Sequence, residues 1–438
     1  MAAPLLPPRA ARWPLLLALA LLVGCGAAPK PAPLEADDAA AVLAHVPADT
    51  PYLLASLADV PPALAEREVA RLGQALQVLV DALLEQAAVA RAQSPFDRLV
   101  LAAAAAVDGK LDGPGLEALG VGRHPRFALY GIAGLPALRA RVADGRKIEA
   151  LVDRVLTDAG VQVERGTLEG QAYRVVFVGD LPLLYLAFGD RWAVAGVLLP
   201  PVRDELLPVL LGVTPPKVPL TAAELGPQLA ADGLVPSGFG WLKPAGLLTA
   251  GWPMTRVLEA GAPAGCVGTL REAFGAVESL HLGSRGADAA RTSSVVHLRL
   301  APKLREDLAK SLRPAPGLAP RASGLDKAAL AVGLDVPVAL AALQGWGRRL
   351  QANPSACPWF SGFDRLAEHL TSGAWQRVVD GAPAVQGLAV VLSRLEPAEA
   401  GPPRVDAALW IAGPAQALFD LMGDAVPGAQ GLAQAPPG

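Results

Sequence analysis

The chain has 438 residues, 52% of them hydrophobic and 18% charged, which excludes a disordered polar chain and allows two or three folded domains. Thirty-eight basic against 41 acidic side chains give a formal net charge of −3, leaving no electrostatic footprint for a nucleic-acid partner. With 45 glycines and 42 prolines, many turns between short elements are expected in place of long uninterrupted bundles.

In chain order, Arg9 and Arg12 precede an apolar run from Trp13 to Val23 that is interrupted only by Pro14. Such a run is too short to cross about 30 Å of hydrocarbon as a helix and reads as a signal peptide over residues 1–24. Its end, Leu22-Val23-Gly24-Cys25, resembles the lipobox of bacterial lipoproteins, in which a small residue precedes a cysteine. The resemblance covers the first 25 residues. It implies diacylglycerol in thioether linkage to Cys25, cleavage between Gly24 and Cys25, and acylation of the new amino terminus. Gly26 is not the aspartate that would imply inner-membrane retention in many Gram-negative bacteria, so the implied address is the outer membrane, facing the periplasm or the cell surface. The cysteine sulfur is the soft nucleophile for lipid transfer, and several acyl chains anchor stably where one holds only marginally. Membrane lipid is therefore the first expected partner. Residues 25–44, with the Pro- and acid-rich stretch Ala27 to Ala41, are expected to be an extended tether.

A first domain is expected over 45–212. It opens with a strand at Tyr52–Leu57, and Asp59-Val60-Pro61-Pro62 then starts a helix running to about Ala90, since Asp caps and Pro is tolerated in the first turn. Helices follow at Phe96–Val107 and Gly113–Leu119. Strands at Phe127–Ile132 and Leu138–Val142 form a hairpin that leads into a helix at Gly145–Ala159, where Ile148, Leu151, Val152, Val155 and Leu156 make one apolar stripe. Four short strands, Val161–Arg165, Ala172–Val178, Leu183–Phe188 and Trp192–Leu198, are joined by glycine-bearing turns suited to antiparallel hairpins. A helix at Val202–Leu211 closes the unit. Residues 213–248, rich in Gly and Pro, read as a connection.

A second domain is expected over 249–438. It holds a hairpin of Val277–Leu282 with Ser293–Leu300, a helix at Lys303–Leu312 and a strand at Ala328–Leu334. A helix opens at Asp335-Val336-Pro337-Val338-Ala339-Leu340, echoing Asp59-Val60-Pro61-Pro62-Ala63-Leu64. A hairpin of Leu388–Leu395 with Val405–Ile411 leads to a helix at Ala415–Met422. The recurrence predicts an internal duplication: two related α+β domains of antiparallel sheet with helices on one face. A Rossmann arrangement is disfavoured by the missing glycine fingerprint. Pro47-Ala48-Asp49-Thr50 resembles uncharacterised bacterial envelope proteins in which this segment precedes a strand and α+β units are duplicated, a likeness that implies no catalytic residues.

Cys266 and Cys357 remain once Cys25 is committed to lipid. In an oxidising compartment they are expected to pair, closing a loop of about 90 residues worth about 4 kcal/mol; the alternative is two buried thiols. Motifs of the common metalloproteases, serine hydrolases, P-loop proteins and redox dithiols are missing. Asp108, Asp112 and Gly113 copy three positions of an EF-hand loop, but Lys110 and Leu119 stand where oxygen ligands are needed, so a helix-capping turn is expected. Of His45, His124, His281, His297 and His369, only His281 and His297 are expected to meet, across the 277–300 hairpin. Period two places Leu280, Leu282, Val296, Leu298 and Leu300 inside, and the two histidines and Arg299 on a solvent face. They are the weak catalytic candidates; a zinc site would need a third ligand such as Asp288 or Glu278, and no metal or cofactor is expected. Asp37-Asp38 and Arg305-Glu306-Asp307 read as solvated charge. Among Trp241, Trp252, Trp346, Trp359, Trp375 and Trp410, Trp241 and Trp252 are the candidate binding residues because they lie at the Gly/Pro-rich connection.

The expected function is that of an outer-membrane-anchored lipoprotein, not an enzyme, that binds a protein, glycan or other envelope component in a groove between its two domains. The alternatives are an envelope hydrolase with a convergent site and a purely structural envelope protein.

Overall fold

The structure, a computed structural model, describes residues 36–59, 62–89, 94–123, 126–249, 252–263, 265–287, 292–312, 328–333, 335–352, 361–381, 387–396 and 404–412. The described residues fall into two compact units. The first runs to Ala260 and takes in Val277–Arg299; the second holds Gly261–Ala276 and the residues from Leu300 onward.

The first unit is built on one antiparallel sheet. Its strands are β1 (Tyr52–Ser56), β2 (Arg126–Ile132), β3 (Leu135–Arg141), β4 (Val163–Leu168), β5 (Gln171–Val178), β6 (Leu181–Gly189), β7 (Trp192–Val197), β8 (Phe239–Leu242), β9 (Val277–Ala287) and β10 (Thr292–Leu300). Their spatial order is β10-β9-β8-β1-β2-β3-β7-β6-β5-β4. Two-residue turns close the β2–β3 and β4–β5 hairpins. Ala133 with Gly134 and Glu169 with Gly170 all have positive φ there, the backbone that matches the right-handed twist of the flanking strands.

Helices α1 (Ala36–Leu43), α2 (Pro62–Val89), α3 (Pro95–Val107), α4 (Gly113–Ala118), α5 (Gly145–Asp158), α6 (Arg203–Leu211) and α7 (Ala222–Asp232) surround the sheet. One sheet face receives α1, α6 and α7: Val42, Leu43, Leu207, Leu210 and Leu225 are buried in one cluster with Leu53, Ala128, Tyr130 and Val194. At β5 and β6 a second cluster joins Leu156 of α5 to Val176 and Leu186, with Leu99 of α3 packed against it. The start of α5 is fixed by Asp144, whose carboxylate accepts from the Arg146 and Lys147 amides at 3.0 and 3.2 Å, a cap worth about 1 kcal/mol.

Between the parts of the large sheet the chain forms α8 (Pro253–Gly261) and α9 (Cys266–Gly275); the rest of the described chain forms α10 (Pro302–Ser311), α11 (Val336–Ala352), α12 (Ser361–Leu370) and α13 (Gly373–Gly381). Strands β11 (Ala328–Gly333), β12 (Gly387–Glu396) and β13 (Arg404–Ala412) make a separate antiparallel sheet in the order β11-β12-β13.

An α+β fold with antiparallel sheet is thus present, but it is organised differently from two matching domains. The stretch 213–248 is ordered structure: a capping box of Thr221 with Glu224 starts α7, and β8 is inserted between β1 and β9 in the sheet. The sheet continues into β9 and β10, so the boundary expected at 249 lies inside the first unit. Helices also pack on both sheet faces instead of one. Part of the expected tether is helical. Ala39, Val42 and Leu43 fall on one side of α1 at i, i+3 and i+4 and are buried, and that apolar stripe overrides the Ala/Asp-rich composition. The helix expected at 415–422 lies outside the described residues.

Cys266, fully buried at the start of α9, is disulfide-bonded; Cys25 and Cys357, the other two cysteines of the chain, lie outside the described residues. Among the same residues no helix is long and apolar enough to cross a membrane, so membrane association has no spanning helix to rest on there.

Candidate functional site

In β3 the alternation that buries Leu135 and Ala137 also carries Arg139 onto the core face of the sheet. Its cross-strand neighbours Ala128 and Val194 are 0% and 1% exposed, and Arg139 itself is 8% exposed. A cation at that position is costly unless paired. Arg139 Nη2 donates to the Leu210 carbonyl at 3.2 Å, and the guanidinium carbon lies 5.6 Å from the Trp192 ring centroid. Among the described residues no carboxylate forms an ion pair with it.

Arg139 Nε, the Tyr130 hydroxyl and His45 Nδ1 are buried here without a well-formed hydrogen bond among the described residues, the Tyr130 hydroxyl lying against the Arg139 guanidinium. Buried polar groups in folded proteins are nearly always satisfied, so a cluster of this kind marks a place built to receive one. Gly212, just past α6, holds Arg139 and His45 together. A Cβ at this residue would stand 2.6 Å from Arg139 Nη2 and 2.8 Å from His45 Cε1, and its φ of +79° is one that L side chains rarely adopt.

His45, Arg139 and Gly212 line a cavity of about 850 Å³, together with Arg141, Gln171, Arg191 and Trp192; Tyr130, fully buried, lies behind Arg139 and outside the lining. Glu169, exposed in the β4–β5 turn, is the acidic residue of the lining. Burial, and then the charge of Arg139, push the His45 imidazole down to about 4, so at neutral pH it is uncharged. Burial raises the Tyr130 hydroxyl against the opposing charge and hydrogen bond of Arg139, so it stays protonated. Burial also lowers Arg139 from its ordinary value, a guanidinium remaining a cation at physiological pH all the same.

The histidine pair expected on a solvent face is placed otherwise. His281 is 7% exposed, whereas Val296 and Leu298 are 46% and 55% exposed. Residues directly opposite in an antiparallel ladder share a face, and His281 opposes Trp241, which opposes Leu53, which opposes Tyr130. That row is the core face, so the face assignment is reversed. His281 is accommodated by Asp232 at the end of α7: Nδ1 and Oδ2 are 2.6 Å apart, and Arg299 Nη2 donates to Oδ1 at 2.6 Å. Burial works to raise the Asp232 carboxyl, but the bonds from His281 and Arg299 bring it below its ordinary value. Burial lowers His281 despite Asp232, which makes the imidazole a neutral Nδ1–H donor.

His297 Nε2 is buried and unpartnered among the described residues. No group of three His, Cys, Asp or Glu side chains there could hold a metal ion. Glu278 is exposed, and Asp288 and His124 lie outside the described residues. His369 packs beside Trp375, ring centroids 6.0 Å apart.

Trp241, expected to bind a ligand, belongs to the core: it is buried, stacks on Phe239 and directs Nε1 to the Thr50 carbonyl at 3.5 Å. Trp252 is half-buried just before α8; Trp346 and Trp410 lie in α11 and β13, and Trp359 lies outside the described residues. Asp112 caps α4 through the Gly115 amide at 2.8 Å. Thr50 of the Pro-Ala-Asp-Thr segment accepts from the Gly131 amide and donates to the Tyr52 carbonyl, a structural role. Asp37 and Asp38 lie within α1, and Arg305, Glu306 and Asp307 are exposed on α10.

Arg139 was missed by sequence reasoning, and His45 was noted without a partner. The available signal was an arginine in phase with Leu135 and Ala137 in a strand. No protein-family model, curated protein or solved structure matches the chain.

Proposed function

We propose that the chain is a lipid-anchored binding protein of the bacterial envelope, held at the outer membrane through Cys25, whose first unit captures an anionic group of an envelope component. The anchor reading rests on Leu22-Val23-Gly24-Cys25. The binding reading rests on Arg139, a cation without a carboxylate partner among the described residues, on the core face of a central strand and in the lining of a cavity. The cavity lies within the first unit, so this reading replaces a groove between domains. The hydrolase alternative has only the Asp232–His281 pair behind it, and among the described residues no serine, threonine or cysteine side chain hydrogen-bonds His281.

The finer reading of a duplicated segment is supported by element order. β1, α2 to α4 and the β2–β3 hairpin run in the same order as β11, α11 to α13 and the β12–β13 hairpin, and the sequence Asp-Val-Pro recurs at 59–61 and 335–337. The neighbour order in space is β1-β2-β3 in one and β11-β12-β13 in the other.

The test is native mass spectrometry of the lipidated protein purified from its own envelope, beside Arg139→Gln and Cys25→Ser. A co-purified species lost in Arg139→Gln, with Cys25→Ser released from the membrane fraction, is expected. An empty wild-type protein, or a species equally present in Arg139→Gln, would refute the binding reading.

A further inference from the structure

We infer that the Arg139 cavity takes a compact dianionic oxyanion, a phosphate monoester group or free phosphate, held by the guanidinium, with His45 taking up a proton as the anion enters. The inference deepens the binding reading and rests on it.

Arg139 supplies a planar fork of donors matched to oxyanions, and its buried Nε makes no well-formed hydrogen bond among the described residues. Tyr130, fully buried behind it, sets its hydroxyl against the guanidinium and helps to position it. His45 approaches the same point, since its ring and Arg139 Nη2 both crowd the open side of Gly212. The charged and titratable groups around this point are Arg139 and Arg141 on β3, Arg191 before β7, Glu169 in the β4–β5 turn and His45 after α1, with Tyr130 on β2 behind Arg139. Arg139 and Arg191 against Glu169, with one proton added to His45, leave two positive charges that a dianion balances. A volume of about 850 Å³ leaves room for the body that carries the phosphate.

The proton follows from electrostatics. His45 is held neutral by burial and by Arg139. An anion on Arg139 cancels the second cause and adds an attraction of its own, so the imidazole gains a proton from solvent and becomes a donor to the ligand. Binding and protonation then strengthen each other by linkage.

The test is calorimetric titration of the full chain with inorganic sulfate and inorganic phosphate at about pH 5 and pH 8, with the His45 ring followed by NMR. Sulfate stays dianionic over that range, so its pH dependence reports the protein. If the anion raises His45 by about two pKa units, sulfate binds about tenfold more tightly at pH 5 than at pH 8. Arg139→Gln should abolish saturable binding at both pH values, Arg139→Lys should weaken it at least about tenfold, and His45→Gln should keep binding but flatten the pH profile. Circular dichroism of each variant shows that it is folded, and the wild-type His45 titration stands without any variant.

No saturable binding of either anion, or binding unchanged in Arg139→Gln, would overturn the site. A flat wild-type profile would overturn the proton uptake. Vesicles containing phosphatidic acid, compared with free phosphate, distinguish a lipid head group from the ion. If inorganic anions bind with this signature while nothing co-purifies from the envelope, the envelope-binding reading fails and the anion site stands. If a neutral ligand co-purifies and no anion binds, the reverse holds.

Discussion

Arg139→Met should leave the fold intact, raise its stability slightly and remove anion binding. The methionine keeps an unbranched apolar stem between Ala128 and Val194, both essentially inaccessible, and removes a charge held at 8% exposure. Replacing buried ionic groups by apolar ones of similar volume is neutral to stabilising by about 1–4 kcal/mol. Against that stand the bond to the Leu210 carbonyl, about 1 kcal/mol with some added cost for the orphaned oxygen, and the contact with the Trp192 ring, about 0.5–1 kcal/mol. The balance is a gain of about 1 kcal/mol, which at a urea slope of about 2 kcal/mol/M moves the midpoint up by about 0.5 M. Urea unfolding at pH 7 followed by tryptophan fluorescence measures it. His45 should also rise in this variant but stay below its ordinary value, because burial, the larger cause, remains. A loss of about 2 kcal/mol or more would refute the reasoning, since Arg139 would then be holding the fold together instead of waiting for a ligand.

Gly212→Ala should cost about 1–2 kcal/mol through its left-handed backbone and weaken sulfate binding, because the new methyl group meets Arg139 and His45; unchanged binding in calorimetry would contradict the convergence at that point. For His45, the folded value of about 4 lies below the ordinary 6.5, so the unfolded chain takes up the proton first as pH falls. Its contribution is fully present above about pH 6.5 and is lost on descending toward about pH 4; the ceiling of about 3 kcal/mol falls to about 1 for this partly exposed ring, and urea midpoints against pH should show it in wild type but not in His45→Gln. Asp232→Ala should destabilise the first unit by about 1–3 kcal/mol, because the buried His281 loses its acceptor while the exposed Arg299 turns to water; a midpoint shift under about 0.3 M urea would say that the network is idle.

What was legible in the sequence is what local pattern decides. The stripe Ile148, Leu151, Val152, Val155 and Leu156 behind the Asp144 cap determines α5 without reference to the rest of the chain. The glycine turns likewise mark the β4 to β7 hairpins. The face of β9 and β10 was not legible, because apolar residues occupy both phases of β10: Val295 sits in phase with His297, and Val296 with Leu298. The choice falls to the register of Trp241 against His281, and Trp241 sits in a four-residue strand too short for any alternation to show. The helix at 36–43 was hidden by a composition that suits a tether, and only the burial of Val42 and Leu43 against the sheet makes it a helix in place. The site escaped for a similar reason. His45, Tyr130, Arg139 and Gly212 are scattered along the sequence, and only sheet order and the end of α6 bring them together. An arginine within an apolar strand phase breaks the binary pattern, and such a break is where function is expected.

The most direct test of the central claim is phosphorus NMR and native mass spectrometry on the lipidated protein taken from its own envelope, wild type beside Arg139→Gln. The account predicts a stoichiometric phosphate-bearing species on the wild-type protein that is missing from the variant. A wild-type protein that carries nothing, or the same species retained by the variant, would contradict it.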